Sequence, residues 1–155
     1  MKRIILNIVF ILMAVPMFGQ YVEIEGYDLN DNSIEFLRKY YNNYNKYGIA
    51  TYLIQYENDI DSPWNRIDEY EVRFANGTII EFDRNGELKS IDCGKDDFVP
   101  LMIIPSVIQN ALRNYTRNLE IIEYSIERGR LFIDYEIELK NGKEFTFNKR
   151  GKLKE

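Results

Sequence analysis

Two segments of this chain repeat one another, and this repeat constrains the fold more than any other feature of the sequence. Residues 70–88 read YEVRFANGTIIEFDRNGEL, and residues 135–153 read YEIELKNGKEFTFNKRGKL. They align without a gap at a spacing of 65 residues, and an Asn-Gly dipeptide and a later Gly fall at the same positions in both. Self-similarity at a fixed period indicates a repeated structural unit. We therefore predict that one unit occurs twice.

Each copy has the pattern of a β-hairpin. In the first copy, apolar and polar side chains alternate over residues 70–74, as they do on a strand with one buried face. Asn76-Gly77 predicts a two-residue turn with positive φ angles, and residues 79–83 return with the same alternation. Gly86 lies in a second turn that leads to a further strand. The second copy repeats the whole pattern, and one more strand is predicted before each hairpin.

A helix precedes the strands of each copy. We predict that the first helix begins at Asn32, whose side chain caps it while Glu35 completes a capping box. The second begins at Pro105, since proline is favoured at the first helical position. The predicted apolar stripes are Leu37, Tyr40, Tyr41 and Tyr44 in the first helix and Ile108, Ala111, Leu112 and Tyr115 in the second. The fold class is therefore α+β, with two tandem repeats of one helix and a four-stranded antiparallel sheet.

The N-terminus has the organisation of a secretory signal peptide. Lys2 and Arg3 precede an apolar stretch over residues 4–18, and the small residue Gly19 follows it. The stretch is shorter than the roughly 20 apolar residues that a membrane-spanning helix needs. We predict a signal peptide over 1–19, export to the periplasm or the extracellular space, and no membrane span after cleavage. An uncleaved N-terminal anchor is the alternative.

The rest of the chain divides into a first repeat at 20–92, a linker at 93–104 and a second repeat at 105–155. Loss of Lys2 and Arg3 with the signal peptide lowers the net charge from −5 to −7 and leaves 18 basic against 25 acidic residues. Proteins that bind nucleic acids neutralise phosphates with Lys and Arg, so a chain with this balance is a poor candidate for that function.

The residue types that are missing exclude several kinds of chemistry. The sequence has no His, and Cys93 is its only cysteine. Catalysis by a Ser-His-Asp or Cys-His system, a His-ligated zinc site and an intramolecular disulfide are therefore excluded. We expect no catalytic residues, no cofactor and no metal. Cys93 is predicted to be buried because Ile91 and Val99 flank it, and a free thiol that pairs between chains is the alternative.

The sequence also resembles a known family. The run IDCGKDDFVPLMIIPSVIQNALRNY, followed by YEIELKNGKEFTFNKRGKL, is similar to the PepSY-like family of putative β-lactamase-inhibitor-like exported proteins, found largely in Bacteroidetes. The likeness is closest from Tyr70 to the C-terminus. It implies a fold like that of the β-lactamase inhibitor protein, in which two helix-plus-sheet repeats form one saddle. It implies no catalytic residues and does not establish inhibition.

Two further features have both a functional and a structural interpretation. Residues 28–32 (DLNDN) resemble the start of a calcium loop, but Lys39 occupies the position of the bidentate Glu, so helix capping is the preferred interpretation. The tyrosines concentrated in residues 40–56 could form an interface, although most fit core positions between helix and sheet. We predict partial exposure only for Tyr47 and Trp64.

The strand alternation also predicts the composition of the sheet face turned away from the helices. That face is expected to carry Leu53, Gln55, Glu57, Glu69, Glu71, Arg73, Ile79, Glu81, Glu123, Ser125, Glu127, Phe132, Asp134, Glu136, Glu138, Lys140, Glu144 and Thr146. Ten of these residues are acidic and two are basic. A solvated outer face is one interpretation. A binding face is the other, because solubility does not require so large a field of one sign.

We predict that this face binds a protein or peptide with a basic surface. The residues expected to take part are Glu71, Arg73, Glu81, Phe132, Glu136, Glu138 and Glu144. The chain would then be a non-catalytic binding module of the cell envelope, an inhibitor of another protein or an adaptor for it. A small hydrolase built on carboxylates and a structural envelope protein that self-associates through strand edges are the alternatives.

Overall fold

The computed structural model describes residues 21–48, 50–56, 67–94 and 96–154, and one antiparallel sheet dominates it. Within these residues the sheet has eight strands, each hydrogen-bonded to the next in chain order. The strands are β1 (Tyr21–Ile24), β2 (Ala50–Tyr56), β3 (Ile67–Phe74), β4 (Ile79–Asp83), β5 (Leu88–Asp92), β6 (Ile121–Arg128), β7 (Ile133–Leu139) and β8 (Glu144–Asn148). The α-helices are α1 (Asp31–Tyr40), α2 (Tyr44–Tyr47) and α3 (Ser106–Leu112), and 3-10 turns lie at Gly26–Asp28 and Leu101–Ile103.

The predicted α+β class is confirmed, and the strands of both segments form a single continuous sheet. β5 and β6 join the two halves, with Ile91 opposite Tyr124 at the centre of the junction. The core lies between the helices and one face of this sheet. Side chains from both halves contribute to it, and Val72, Phe82, Ile108 and Phe147 are among those with no exposed surface. We call the opposite face the open face.

The two repeated hairpins have the same register and the same turns. Tyr70 lies opposite Phe82 in the first, and Tyr135 lies opposite Phe147 in the second. Each loop has three residues, not the predicted two, because the strand residue before it bonds to the fourth residue on, as Phe74 N does to Thr78 O at 2.8 Å. Only the glycine has a positive φ in each, so the turn is a type I turn closed by a glycine.

The segments differ in how many strands they contribute. The first contributes β2 to β5, with β1 added at the edge. The second contributes only β6 to β8, and the prediction of a fourth strand there is wrong. A single bridge between Phe147 and Leu153 takes its place, at the position where Phe82 pairs with Leu88 in the first segment. Duplication of the complete unit therefore stays a prediction.

The helix starts differ slightly from those predicted. α1 begins at Asp31, and its cap is Asn30, whose Oδ1 accepts a hydrogen bond from Asn32 N at 2.9 Å. The predicted cap, Asn32, already has helical backbone, and its side chain donates to Asn85 O at 2.9 Å. Asn30 thus caps the helix within the segment that resembles a calcium loop. α3 begins one residue after Pro105.

Aromatic packing under α1 accounts for two further differences from the prediction. Phe36, which the predicted stripe omitted, packs edge-on against Phe82 with ring centroids 5.4 Å apart. Tyr47 is buried and not partly exposed, because α2 places its ring 4.9 Å from Tyr41 and 5.4 Å from Phe74. Trp64 lies outside the described residues.

The ends of the linker and of α3 test two other predictions. Cys93 is buried, as predicted, and burial raises the pKa of its thiol to about 12. A thiol with so high a pKa is a poor nucleophile. Tyr115 lies beyond the end of α3 and is 49% exposed, so it does not belong to the buried stripe of that helix.

Candidate binding face

Several acidic residues of the open face are buried and neutralised within the protein. Glu69, Glu71 and Asp134 were predicted to face solvent, yet all three are buried. Each forms an ion pair with one cation. The pairs are Glu69 with Lys89, Glu71 with Arg73 and Asp134 with Lys154. Buried carboxylates need such partners, because an unpaired charge in a protein interior is strongly destabilising.

Two of these pairs occupy equivalent positions in the repeated segments. Lys89 and Glu69 each lie 65 residues before Lys154 and Asp134. The strand alternation did not place either lysine on the open face. Lys89 follows the irregularity in the β4–β5 register, and Lys154 lies past β8. These two cations reduce the charge imbalance that the sequence predicted.

Four acidic residues remain together in the second half of the open face. Glu123 lies directly opposite Glu138, and Glu138 lies directly opposite Glu144, so carboxylates occupy neighbouring positions on three adjacent strands. With Glu136 they border an open depression of about 290 Å³, which Ile137, Phe145 and Thr146 also line. We call Glu123, Glu136, Glu138 and Glu144 the acidic depression.

The acidic depression has no cation within ion-pair distance among the described residues. The one hydrogen bond recorded for these four carboxylates comes from Ser125 Oγ, which donates to Glu136 at 3.3 Å. Lys140 is the nearest lysine in the sequence, but its Nζ lies 5.1 Å from the centre of the Phe98 ring. The negative charge of the depression is therefore not balanced within the described part of the chain.

Titration of Glu123 provides a test of this crowding. Burial raises the pKa of Glu123, and the carboxylates of Asp92, Glu138, Glu136 and Glu144 raise it further. A carboxyl group whose pKa is higher in the folded state holds more protons there. The free energy of unfolding should therefore fall as the pH rises through that pKa, in a window that opens above the ordinary value of 4.5.

We expect Glu123→Gln to lose part of this pH dependence and to be more stable than wild type at neutral pH. The gain should be a few tenths of a kcal/mol, because solvent screens a group this exposed. Urea denaturation of both proteins between about pH 5 and about pH 7 measures the difference. Parallel pH profiles would contradict the strained charge cluster.

The structure brings together only part of the predicted site. Glu136, Glu138 and Glu144 share the acidic depression, and Glu123 belongs with them although it was not in the predicted centre. A register irregularity between Ile121 and Glu123 places Glu123 opposite Glu138, and strand alternation alone does not show such irregularities.

The remaining predicted residues lie elsewhere. Glu71 and Arg73 pair with one another in the first half of the sheet. Glu81 lies opposite Glu71 and accepts a hydrogen bond from Ser90 Oγ at 2.7 Å. Phe132 precedes β7, in the turn at the opposite end of that strand from Glu138. It is therefore separate from the acidic depression.

Two further observations bear on what the chain could bind. Among the described residues, no three His, Cys, Asp or Glu side chains are grouped so that they could hold a metal ion. In the same part of the chain, no helix is long and apolar enough to cross a membrane.

Comparison with known proteins identifies the family. A family model described as "Putative beta-lactamase-inhibitor-like, PepSY-like" matches residues 68–155. The chain therefore belongs to the PepSY-like family, and the resemblance seen in the sequence is confirmed. None of the curated proteins compared matches the chain.

Solved structures from Bacteroides share the fold. One from Bacteroides vulgatus, described as a "putative periplasmic protein" from the DUF2874 family, has a TM-score of 0.70 and 23% identity, and the match covers 87% of this chain and 94% of that one. A "putative calcium-regulated periplasmic protein" from Bacteroides thetaiotaomicron has a TM-score of 0.67 and 26% identity over 87% and 94%. A "putative periplasmic protein of unknown function" from B. vulgatus has a TM-score of 0.66 and 26% identity over 88% and 100%.

Proposed function

We propose that this chain is a non-catalytic binding module of the cell envelope, and that its open face binds a protein or peptide with a basic surface. The observation that carries the proposal is the acidic depression, where four carboxylates on three adjacent strands have no cationic partner among the described residues. The chain would act as an inhibitor of its partner or as an adaptor for it.

The energetics of the sheet favour a binding role over a purely solvated face. Like charges directly opposite one another on neighbouring strands destabilise a sheet, by up to about 1 kcal/mol for a pair. Glu138 has such a neighbour on each side. A basic partner would neutralise this repulsion, and the complementary charge would accelerate association.

Three observations support location in the envelope and a role without catalysis. The solved relatives are described as periplasmic proteins. The signal peptide predicted for residues 1–19 lies outside the described residues and remains part of the proposal. The absence of His from the sequence and the openness of the acidic depression both argue against an enzyme. One solved relative is described as calcium-regulated, but we assign no metal to this chain.

We also infer that the chain arose from one helix-and-sheet unit used twice. The matching hairpin registers, the glycine turns and the paired lysines at a spacing of 65 residues support this inference. The packing of each helix against its hairpin supports it as well. Asn30 at the start of α1 lies against Gly86, and Val107 at the start of α3 lies against Gly151.

Capture of the partner tests the proposed function. Wild-type protein immobilised on a resin should retain a basic protein from envelope extract, and high salt should release it, because salt screens exposed charges. The Glu136→Lys/Glu138→Lys variant should lose that protein. Bound proteins are identified by mass spectrometry.

A matched control separates the acidic depression from net charge. Glu25→Lys/Glu35→Lys changes the total charge by the same amount at exposed positions on another part of the surface. This variant should retain the partner as wild type does. Equal retention by all three proteins, or equal loss from both variants, would contradict binding at the acidic depression.

A further inference from the structure

The turn between β6 and β7 presents the most exposed large apolar side chain described in this protein. Leu131 is 90% exposed, and the adjacent Phe132 is 45% exposed. Lys149 and Arg150, in the turn after β8, border the same surface hollow as Leu131 and Phe132. We call Arg130, Leu131, Phe132, Lys149 and Arg150 the basic tip.

The basic tip is held in a defined geometry. Gly129 N donates to Phe132 O at 3.0 Å and so closes the turn. The Phe132 ring lies directly over Gly129, where an added Cβ would be 2.1 Å from a ring carbon. On its other side, Lys154 Nζ lies 5.6 Å from the ring centre. The ring is therefore fixed against the turn, while Leu131 projects into solvent.

The charge of the tip is opposite to that of the chain as a whole. Arg130, Lys149 and Arg150 are exposed, and none of them has an ion-pair partner among the described residues. The acids nearby are largely engaged. Asp134 pairs with Lys154, and Glu87 lies 3.5 Å from Arg128, so Glu127 is the remaining exposed carboxylate at this end of β6.

We propose that the basic tip docks on a membrane surface that carries anionic phospholipid headgroups. A lipid interface takes up apolar side chains without a shaped pocket, which suits a convex tip with a projecting leucine. The cations around Leu131 would meet lipid phosphates, and each basic residue near an anionic surface strengthens binding by about fivefold. Exposed apolar groups ringed by polar ones are typical of such surfaces.

The position of the acidic depression would orient the docked protein. Glu138 lies six residues beyond Phe132 along β7, which corresponds to about 20 Å. Anionic headgroups repel the acidic depression and attract the basic tip. The docked protein would therefore hold its acidic depression away from the lipid, where a partner can reach it.

Sedimentation with lipid vesicles tests the proposal. The chain is purified after export and its N-terminus is determined, because residues 4–18 would themselves bind lipid. Wild type should sediment with vesicles of phosphatidylglycerol and phosphatidylcholine at low salt, and much less with pure phosphatidylcholine. Arg130→Glu and Lys149→Glu should each weaken binding by about tenfold or more, since each reverses a charge. Leu131→Ser should also weaken binding several-fold.

Two control variants make the result specific to the tip. Lys143→Glu makes the same charge change in the turn between β7 and β8, and Met102→Ser removes a side chain that is 74% exposed elsewhere. Neither should alter lipid binding. No sedimentation of wild type with anionic vesicles, or equal loss in Lys143→Glu, would overturn the proposal. Glu136→Lys/Glu138→Lys should still bind vesicles, so failure of the proposed partner binding is separately visible.

Discussion

Replacing Phe82 with alanine should lower the free energy of unfolding by about 3–5 kcal/mol, and replacing Phe147 should lower it by a similar amount. Both side chains are fully buried, and each lies opposite a tyrosine of the preceding strand. Truncation would leave a cavity in the layer between sheet and helices. Urea denaturation monitored by circular dichroism measures each loss.

Phe132→Ala is the matched control for these two truncations. Its ring is 45% exposed, so its removal should cost well under half as much. The account requires Phe82 and Phe147 to have equivalent roles in the two hairpins. Tolerance of either alanine would contradict that equivalence, and with it the inference that one unit is used twice.

Gly86→Ala should destabilise the protein by several kcal/mol, considerably more than Gly77→Ala. Both glycines have positive φ angles, 76° and 90°, and alanine in this conformation costs about 1–2 kcal/mol. At Gly77 an added Cβ meets nothing within 4 Å. At Gly86 it would lie 2.5 Å from Asn30 Oδ1 and 2.9 Å from Ser33 Oγ. The helix would have to move, at roughly 1–3 kcal/mol more.

Thermal or urea denaturation of the two alanine variants tests this difference. Gly142→Ala provides a second control, because an added Cβ there also meets nothing within 4 Å, and its φ is 77°. Gly77→Ala and Gly142→Ala should therefore show similar, smaller losses. If Gly86→Ala were no worse than these two, close packing of α1 on the β4–β5 turn would not be important for stability.

The repeat was sufficient to predict the α+β class and the hairpins, because strand alternation and Asn-Gly turns are local signals. It did not predict turn length, since a two-residue and a three-residue loop can share the same Asn-Gly pair. It also did not predict that both halves join into one sheet. The β5–β6 pairing is a contact between distant residues, for which the local pattern carries no signal.

The candidate site was predictable in sign but not in detail. Alternation placed the carboxylates on one face correctly enough to indicate a negative field. It could not show that Glu71 and Asp134 are buried or that Lys154 returns to pair with Asp134, because both depend on packing between segments. It also grouped Phe132 with the acids, although the basic turn at the end of β7 holds that ring.

The central claim is that the acidic depression accelerates association with a basic partner, and an association-rate measurement tests it most directly. The captured partner is mixed with wild type, with Glu136→Lys/Glu138→Lys and with Glu25→Lys/Glu35→Lys across a salt series. We predict that the wild-type rate falls steeply as salt rises, that reversal at Glu136 and Glu138 slows association at low salt, and that the control variant behaves as wild type does. Equal rates for all three proteins with no salt dependence would contradict the claim.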